Sequence, residues 1–162
     1  MIKIYRRGIG RGMLIYSPPA VGKTTALRAL AEAISGEKRL CIIDERGEFS
    51  CAGLPSAAVL SGYGKALGIE IALRTHSPEI IMVDELSSAE ASALTGVLGA
   101  GIPIIATAHG GRVEDLLSRA STRPLILAGF FDVFVGISYG AKGYKLRRTP
   151  LSKVEASAVG KA

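Results

Sequence analysis

The chain has 162 residues, 48% of them hydrophobic, enough for one domain around a sizeable core. Its net charge of +6 suits a polyanion such as nucleic acid, anionic lipid or nucleotide phosphates, although the basic residues are spread along the chain and include a C-terminal cluster. No run of 18 apolar residues allows a spanning helix, no signal-peptide pattern opens the chain, and Cys41 and Cys51 lack metal-ligand spacing and build no disulfide framework, so they read as reduced core residues of a cytoplasmic protein.

Met1 stands about a dozen residues before the first apolar run, which predicts a core cut from a longer protein. "RRGIGRG" (6–12) has glycine spacing but precedes the strand, so it is no dinucleotide fingerprint. "MLIY" (13–16) predicts a buried strand. Leu27, Leu30, Ala31 and Ile34 then recur at helical spacing, with Gly36 as the stop. "LCII" (40–43) is a second buried strand ending in "DERGE", and the Gly, Pro, Ser and Ala of 52–62 predict a loop. Residues 64–76 predict a helix broken near Gly68, and "IIMV" (80–83) a strand ending at Asp84 and Glu85. Ser87 and Glu90 form a capping-box pattern ahead of a helix that runs to about Leu98. "IPIIATA" (102–108) is a strand and "GRVEDLLSRA" a short helix. "FDVFVGIS" (131–138), a turn and "YKLRR" predict a C-terminal β-hairpin. Residues 1–150 are therefore expected to be one core domain, with 151–162 a flexible, solvated tail.

Apolar strands alternating with helices predict an α/β fold: a mostly parallel central sheet flanked by helices. Such sheets bind ligands at the carboxyl ends of their strands. "SPPAVGKTT" (17–25) stands there, after a strand and before a helix. It matches the phosphate-loop pattern except that Ser17 replaces the first glycine. Pro19, Ala20, Val21, Gly22, Lys23, Thr24 and Thr25 are the expected nucleotide-binding residues, through backbone amides at a helix start and the Lys23 charge. The Thr24 hydroxyl and the Asp84 carboxylate are the expected Mg²⁺ ligands, and Glu85 the group that orients and deprotonates water. Thr107 and His109, at the end of the next strand, are placed to sense the γ-phosphate or hold the water.

"SPPAVGKTT", "IIDERGE", "ALRTHSPEIIMVDEL" and "IPIIATAHG", in this order, resemble the stage III sporulation protein AA family, ATPases related to the type II and type IV secretion ATPases. The similarity covers roughly residues 12 to 140. It implies a RecA-like P-loop ATPase using ATP and Mg²⁺ in a ring-forming motor at a membrane. It also implies a further N-terminal domain, homo-oligomers of the full-length protein (a hexamer as the candidate size), membrane-associated protein partners and a cytoplasmic, peripheral location. Asp44, Glu45 and Glu48 fall on the secretion ATPases' acidic box, with Arg46 where those enzymes carry Pro, so Glu45 is implied to help the metal or the water. His109 falls on their histidine box. Asp84 stands where many type II enzymes have Gly, which draws the match to the sporulation branch. Arg74, Arg46 and Arg112 are candidates to neutralise γ-phosphate charge, Arg74 and Arg46 foremost. Two other readings stay open: a small nucleotide phosphatase or kinase, although no Arg-rich lid is visible, and a nucleotide-switched nucleic-acid-binding module. The second lacks aromatics interleaved with basic residues, so nucleic acid is not the expected partner.

Overall fold

The computed structural model describes residues 1–49, 54–141 and 143–159. Its strands are β1 (Gly12–Ser17), β2 (Leu40–Asp44), β3 (Ala57–Ser61), β4 (Ile80–Val83), β5 (Ile104–His109), β6 (Val133–Gly140) and β7 (Gly143–Pro150). They form one sheet in the order β3-β2-β4-β5-β1-β6-β7. Every pairing is parallel except that of β7 with β6. The helices are α1 (Ile2–Tyr5), α2 (Lys23–Ser35), α3 (Lys65–Thr75), α4 (Ala91–Gly99), α5 (Val113–Ser118), α6 (Arg123–Leu127) and α7 (Leu151–Val159).

Strands β1, β2 and β4 are buried at every position, because helices cover both faces of the sheet. Met13, Ile15, Ile42, Met82, Ile105, Val133 and Val135 point to one face and meet Leu27, Leu30, Ala31 and Ile34 of α2. Leu14, Ile43, Ile81, Val83 and Ala106 point to the other, where Ile69, Ala72, Leu94 and Val97 come from α3 and α4. The alternation of side chains along each strand makes this division. The parallel strands bring Ser17, Asp44, Val83 and His109 to one edge of the sheet.

Three segments differ from the sequence expectation. Residues 57–61, expected as loop, form β3, in register with β2 from Leu40↔Ala57 to Asp44↔Ser61. Its half-buried edge position suits an Ala-rich segment that carries little strand signal of its own. Helix α3 passes through Gly68 unbroken. Glycine is required there by packing: a Cβ would stand 2.6 Å from Ile43 Cγ2 on β2. Where a solvated tail was expected, Leu151–Val159 form α7, with Val154 fully buried in the core. The capping box is present as expected: Ser87 N–H donates to Glu90 Oε2 at 2.8 Å, and a 3-10 turn (Ser88–Glu90) leads into α4. Cys41 is buried, and burial pushes its thiol up to about 11; Cys51 lies outside the described residues.

Candidate functional site

The chain leaves β1 at Ser17, which is 1% exposed and donates its hydroxyl hydrogen to the Pro18 carbonyl oxygen at 2.8 Å. The Gly110 amide donates to the Ser17 carbonyl at 3.0 Å, tying the ends of β1 and β5 together. The loop then turns through left-handed backbone at Ala20 (φ 59°) and Gly22 (φ 89°). Glycine adopts that conformation freely, whereas Ala20 carries strain, as residues at ligand-binding turns often do. Helix α2 begins at Lys23 and runs 13 residues. Its first-turn amides precede the intrahelical ladder and align with the positive end of the helix dipole, which favours an anion there.

Lys23 is only 8% exposed, and burial lowers its pKa, partly offset by the charges of Glu85 and Asp84. Its ammonium donates to His109 Nδ1 at 2.9 Å. With Nδ1 accepting, a neutral His109 carries its proton on Nε2. That nitrogen lies 3.2 Å from Glu85 Oε1, while Arg46 Nη2 lies 3.5 Å from Glu85 Oε2. Glu85 itself has φ 51°, a left-handed conformation that a glutamate rarely adopts. Two contacts hold it: its N–H donates to Thr107 Oγ1 at 2.9 Å, and its carbonyl accepts from Lys65 Nζ at 2.8 Å. Thr107 also donates to Asp84 Oδ1 at 2.5 Å. One threonine thus positions both acidic residues at the end of β4.

Ala20, Gly22, Lys23, Thr24 and Thr25 form one wall of a cavity of about 350 Å³; Arg46, Glu48, Asp84, Glu85 and His109 form the other. The Thr24 hydroxyl and Asp84 carboxylate are hard oxygen donors of the kind Mg²⁺ takes. Among the described residues no group of three or more His, Cys, Asp or Glu side chains could hold a metal ion. The donor set fits an ion that draws its remaining ligands from water and substrate phosphates.

Of the residues singled out in the sequence, Ala20, Gly22, Lys23, Thr24, Thr25, Asp84, Glu85 and His109 meet in this cavity. Pro19 is exposed in the loop, and Val21 packs against the α2-side core. Glu45 faces an adjoining crevice with Arg46 and Glu85, its carboxylate 3.5 Å from Lys65 Nζ. Asp44 is 3% exposed and accepts the amides of Glu48 and Phe49 at 2.9 and 2.8 Å. It shapes the acidic loop. Arg74 is exposed in the last turn of α3, at the opposite edge of the sheet. Arg112 pairs with Glu114 at 3.3 Å, outside the cavity. Thr107, expected to face phosphate, is fully buried and bonded to Asp84 and Glu85. Lys65 escaped the sequence reading, because a lysine opening a helix carries no signal of a tertiary contact.

The family model for sporulation stage III, protein AA matches residues 1–147. The stage III sporulation protein AA of Bacillus subtilis (strain 168) is 38% identical, over 80% of this chain and 47% of that protein. The chain thus spans about half the length of that relative. Among solved structures, the VirB11 ATPase of the Brucella suis type IV secretion system, in complex with sulphate, superposes with TM-score 0.68 at 21% identity, covering 91% of this chain and 50% of that one. The pilus retraction motor PilT with bound ADP gives 0.68 at 14% identity, over 96% and 53%. At these identities the likeness is one of fold: a RecA-like P-loop fold closed by an antiparallel C-terminal hairpin. The family match over nearly the whole chain, together with the B. subtilis relative, places this chain in the sporulation stage III protein AA family.

Proposed function

We propose that the chain is the Mg²⁺-dependent ATPase core of a motor acting in a sporulation- or secretion-type assembly at a membrane. The observation that carries this reading is the Lys23–His109–Glu85 chain of contacts at the start of α2. The loop amides and Lys23 bind the phosphates; Mg²⁺, held by Thr24 and Asp84, would neutralise charge on the β- and γ-phosphates. A γ-phosphate oxygen at Lys23 competes with His109 Nδ1 for the ammonium. His109 then reports the phosphate to Glu85 through its other nitrogen. Glu85 orients water and takes its proton, on a backbone fixed by Thr107 and Lys65. Among the described residues no helix is long and apolar enough to cross a membrane; membrane-associated protein partners are part of this reading. A homo-oligomer of the full-length protein is part of this reading, with the secretion and pilus motors as the fold precedent.

Thermal unfolding with and without Mg-ATP tests the phosphate site. Ligand at about 100 times its Kd adds about 2.7 kcal/mol, a rise of several degrees for a chain of this size. Lys23→Ala should lose most of that rise. An equal rise in both proteins sinks the assignment.

A further inference from the structure

The β6–β7 hairpin carries an aromatic pair that the site described above does not use. Tyr139 and Tyr144 stand opposite each other in the antiparallel register. Their ring centroids are 5.0 Å apart at an interplanar angle of 68°. Yet they are 70% and 65% exposed, the most exposed large hydrophobic side chains among the described residues. The pair projects from the α2 face of the sheet, since Tyr139 follows Val133, Val135 and Ile137 at alternate positions along β6. It also reaches the phosphate loop: the Tyr144 hydroxyl and Cε1 lie 3.6 and 3.7 Å from where a Cβ on Gly22 would stand.

Strand order gives this placement a direction. Asp84 and Glu85 follow β4 and His109 ends β5, all on one side of β1. Lys23 turns to that side to meet His109. The terminal phosphate therefore belongs there. A triphosphate laid along the loop sends its nucleoside the opposite way, over β1 toward β6 and β7, where the tyrosines stand.

We propose that Tyr144, backed edge-on by Tyr139, is the stacking platform for the nucleobase. The proposal rests on the reading of residues 17–25 as the phosphate site. Stacking engages the π-face of a base and not its hydrogen-bonding edge, so the platform favours large rings: purine nucleotides over pyrimidine, with little choice between adenine and guanine.

The test compares wild type, Tyr144→Ala and Tyr144→Phe for binding of Mg-ATP and of inorganic tripolyphosphate, by calorimetry. Tyr144→Ala should weaken ATP about tenfold, a modest value for one base–aromatic stack, and leave tripolyphosphate unchanged. Tyr144→Phe should bind ATP as wild type does. The chain has no tryptophan, so tyrosine emission is directly observable; ATP should quench it and tripolyphosphate should not, and in Tyr144→Ala the quenching should fall. If Tyr144→Ala binds ATP with wild-type affinity, the platform is wrong while the phosphate site stands. If it loses ATP and tripolyphosphate equally, Tyr144 supports the loop at Gly22 and stacks nothing. A wild type that binds neither ligand overturns the phosphate site and the platform together.

Discussion

Glu85 sits in a backbone conformation that costs about 1–3 kcal/mol, and four side chains keep it there or aim it: Thr107, Lys65, His109 and Arg46. Strain held by so many partners points to a carboxylate whose position matters. In the motor reading, Glu85→Gln removes the proposed base but keeps the shape, so ATP should stay bound while turnover falls about 10²–10⁴-fold. Turnover at the wild-type rate would transfer the role to Glu45, whose carboxylate faces the adjoining crevice. Lys23 offers a second test at this scale. Burial lowers its pKa below 10.5, so the unfolded chain holds that proton more tightly than the folded one. Keeping Lys23 charged costs stability at neutral pH, and the cost fades as pH rises through the folded pKa toward 10.5. Without nucleotide, Lys23→Met should melt at or above the wild-type temperature at pH 7. Its melting temperature should also rise less than that of wild type as the pH is raised toward 10.5. A Lys23→Met protein that melts well below wild type would show that the ammonium stabilises the fold.

At the scale of elements, the site depends on how closely α3 lies on β2. That helix opens with Lys65, which holds the Glu85 carbonyl, so its seating on the sheet also sets the acidic residues. Gly68 makes the contact possible, since a Cβ would come within 2.6 Å of Ile43 Cγ2 in the core. Helix propensity alone favours replacing a mid-helix glycine with alanine by about 1 kcal/mol. Overpacking opposes it, and for the bulkier valine it wins: Gly68→Val should cost about 2 kcal/mol, a fall of about 4–8 °C in melting temperature. Pairing it with Ile43→Ala, which clears the space, should recover part of the loss relative to Ile43→Ala alone. Strict additivity in that cycle would show that the two residues do not collide.

For the whole molecule, the candidate site is open on one side. The Arg46 side chain is 65% exposed and that of Glu85 38%, so their contact is worth little in a lone chain. Arg74 is exposed in the last turn of α3 and does not line the cavity, so in the motor reading its place is in the site of another subunit. In the motor reading, the chain alone should be mostly monomeric and nearly inactive, with turnover rising faster than linearly with protein concentration. Mixing Arg74→Ala with Glu85→Gln should then restore activity, because some interfaces combine an intact Arg74 from one subunit with an intact Glu85 from the other. Linear kinetics in an active monomer, with no gain on mixing, would favour a small nucleotide phosphatase.

The sequence by itself determined the α/β fold, four of the buried strands, and the position of residues 17–25 and of Asp84 and Glu85 at the ends of strands. These are local signals: apolar runs, helical spacing and a nine-residue motif from the end of β1 to the start of α2 are each read along one continuous stretch of chain. Tertiary structure decided what depends on strand order. Lys23 meets His109 across 86 residues because β5 pairs with β1, and Thr107 reaches Asp84 and Glu85 because β4 pairs with β5. An Ala-rich stretch becomes β3 only through its register with β2, and Val154 is buried only because a core face waits for it. The hairpin was legible as two strands and a turn, but not the approach of Tyr144 to Gly22. That contact follows from β6 lying beside β1, a pairing that no local pattern encodes.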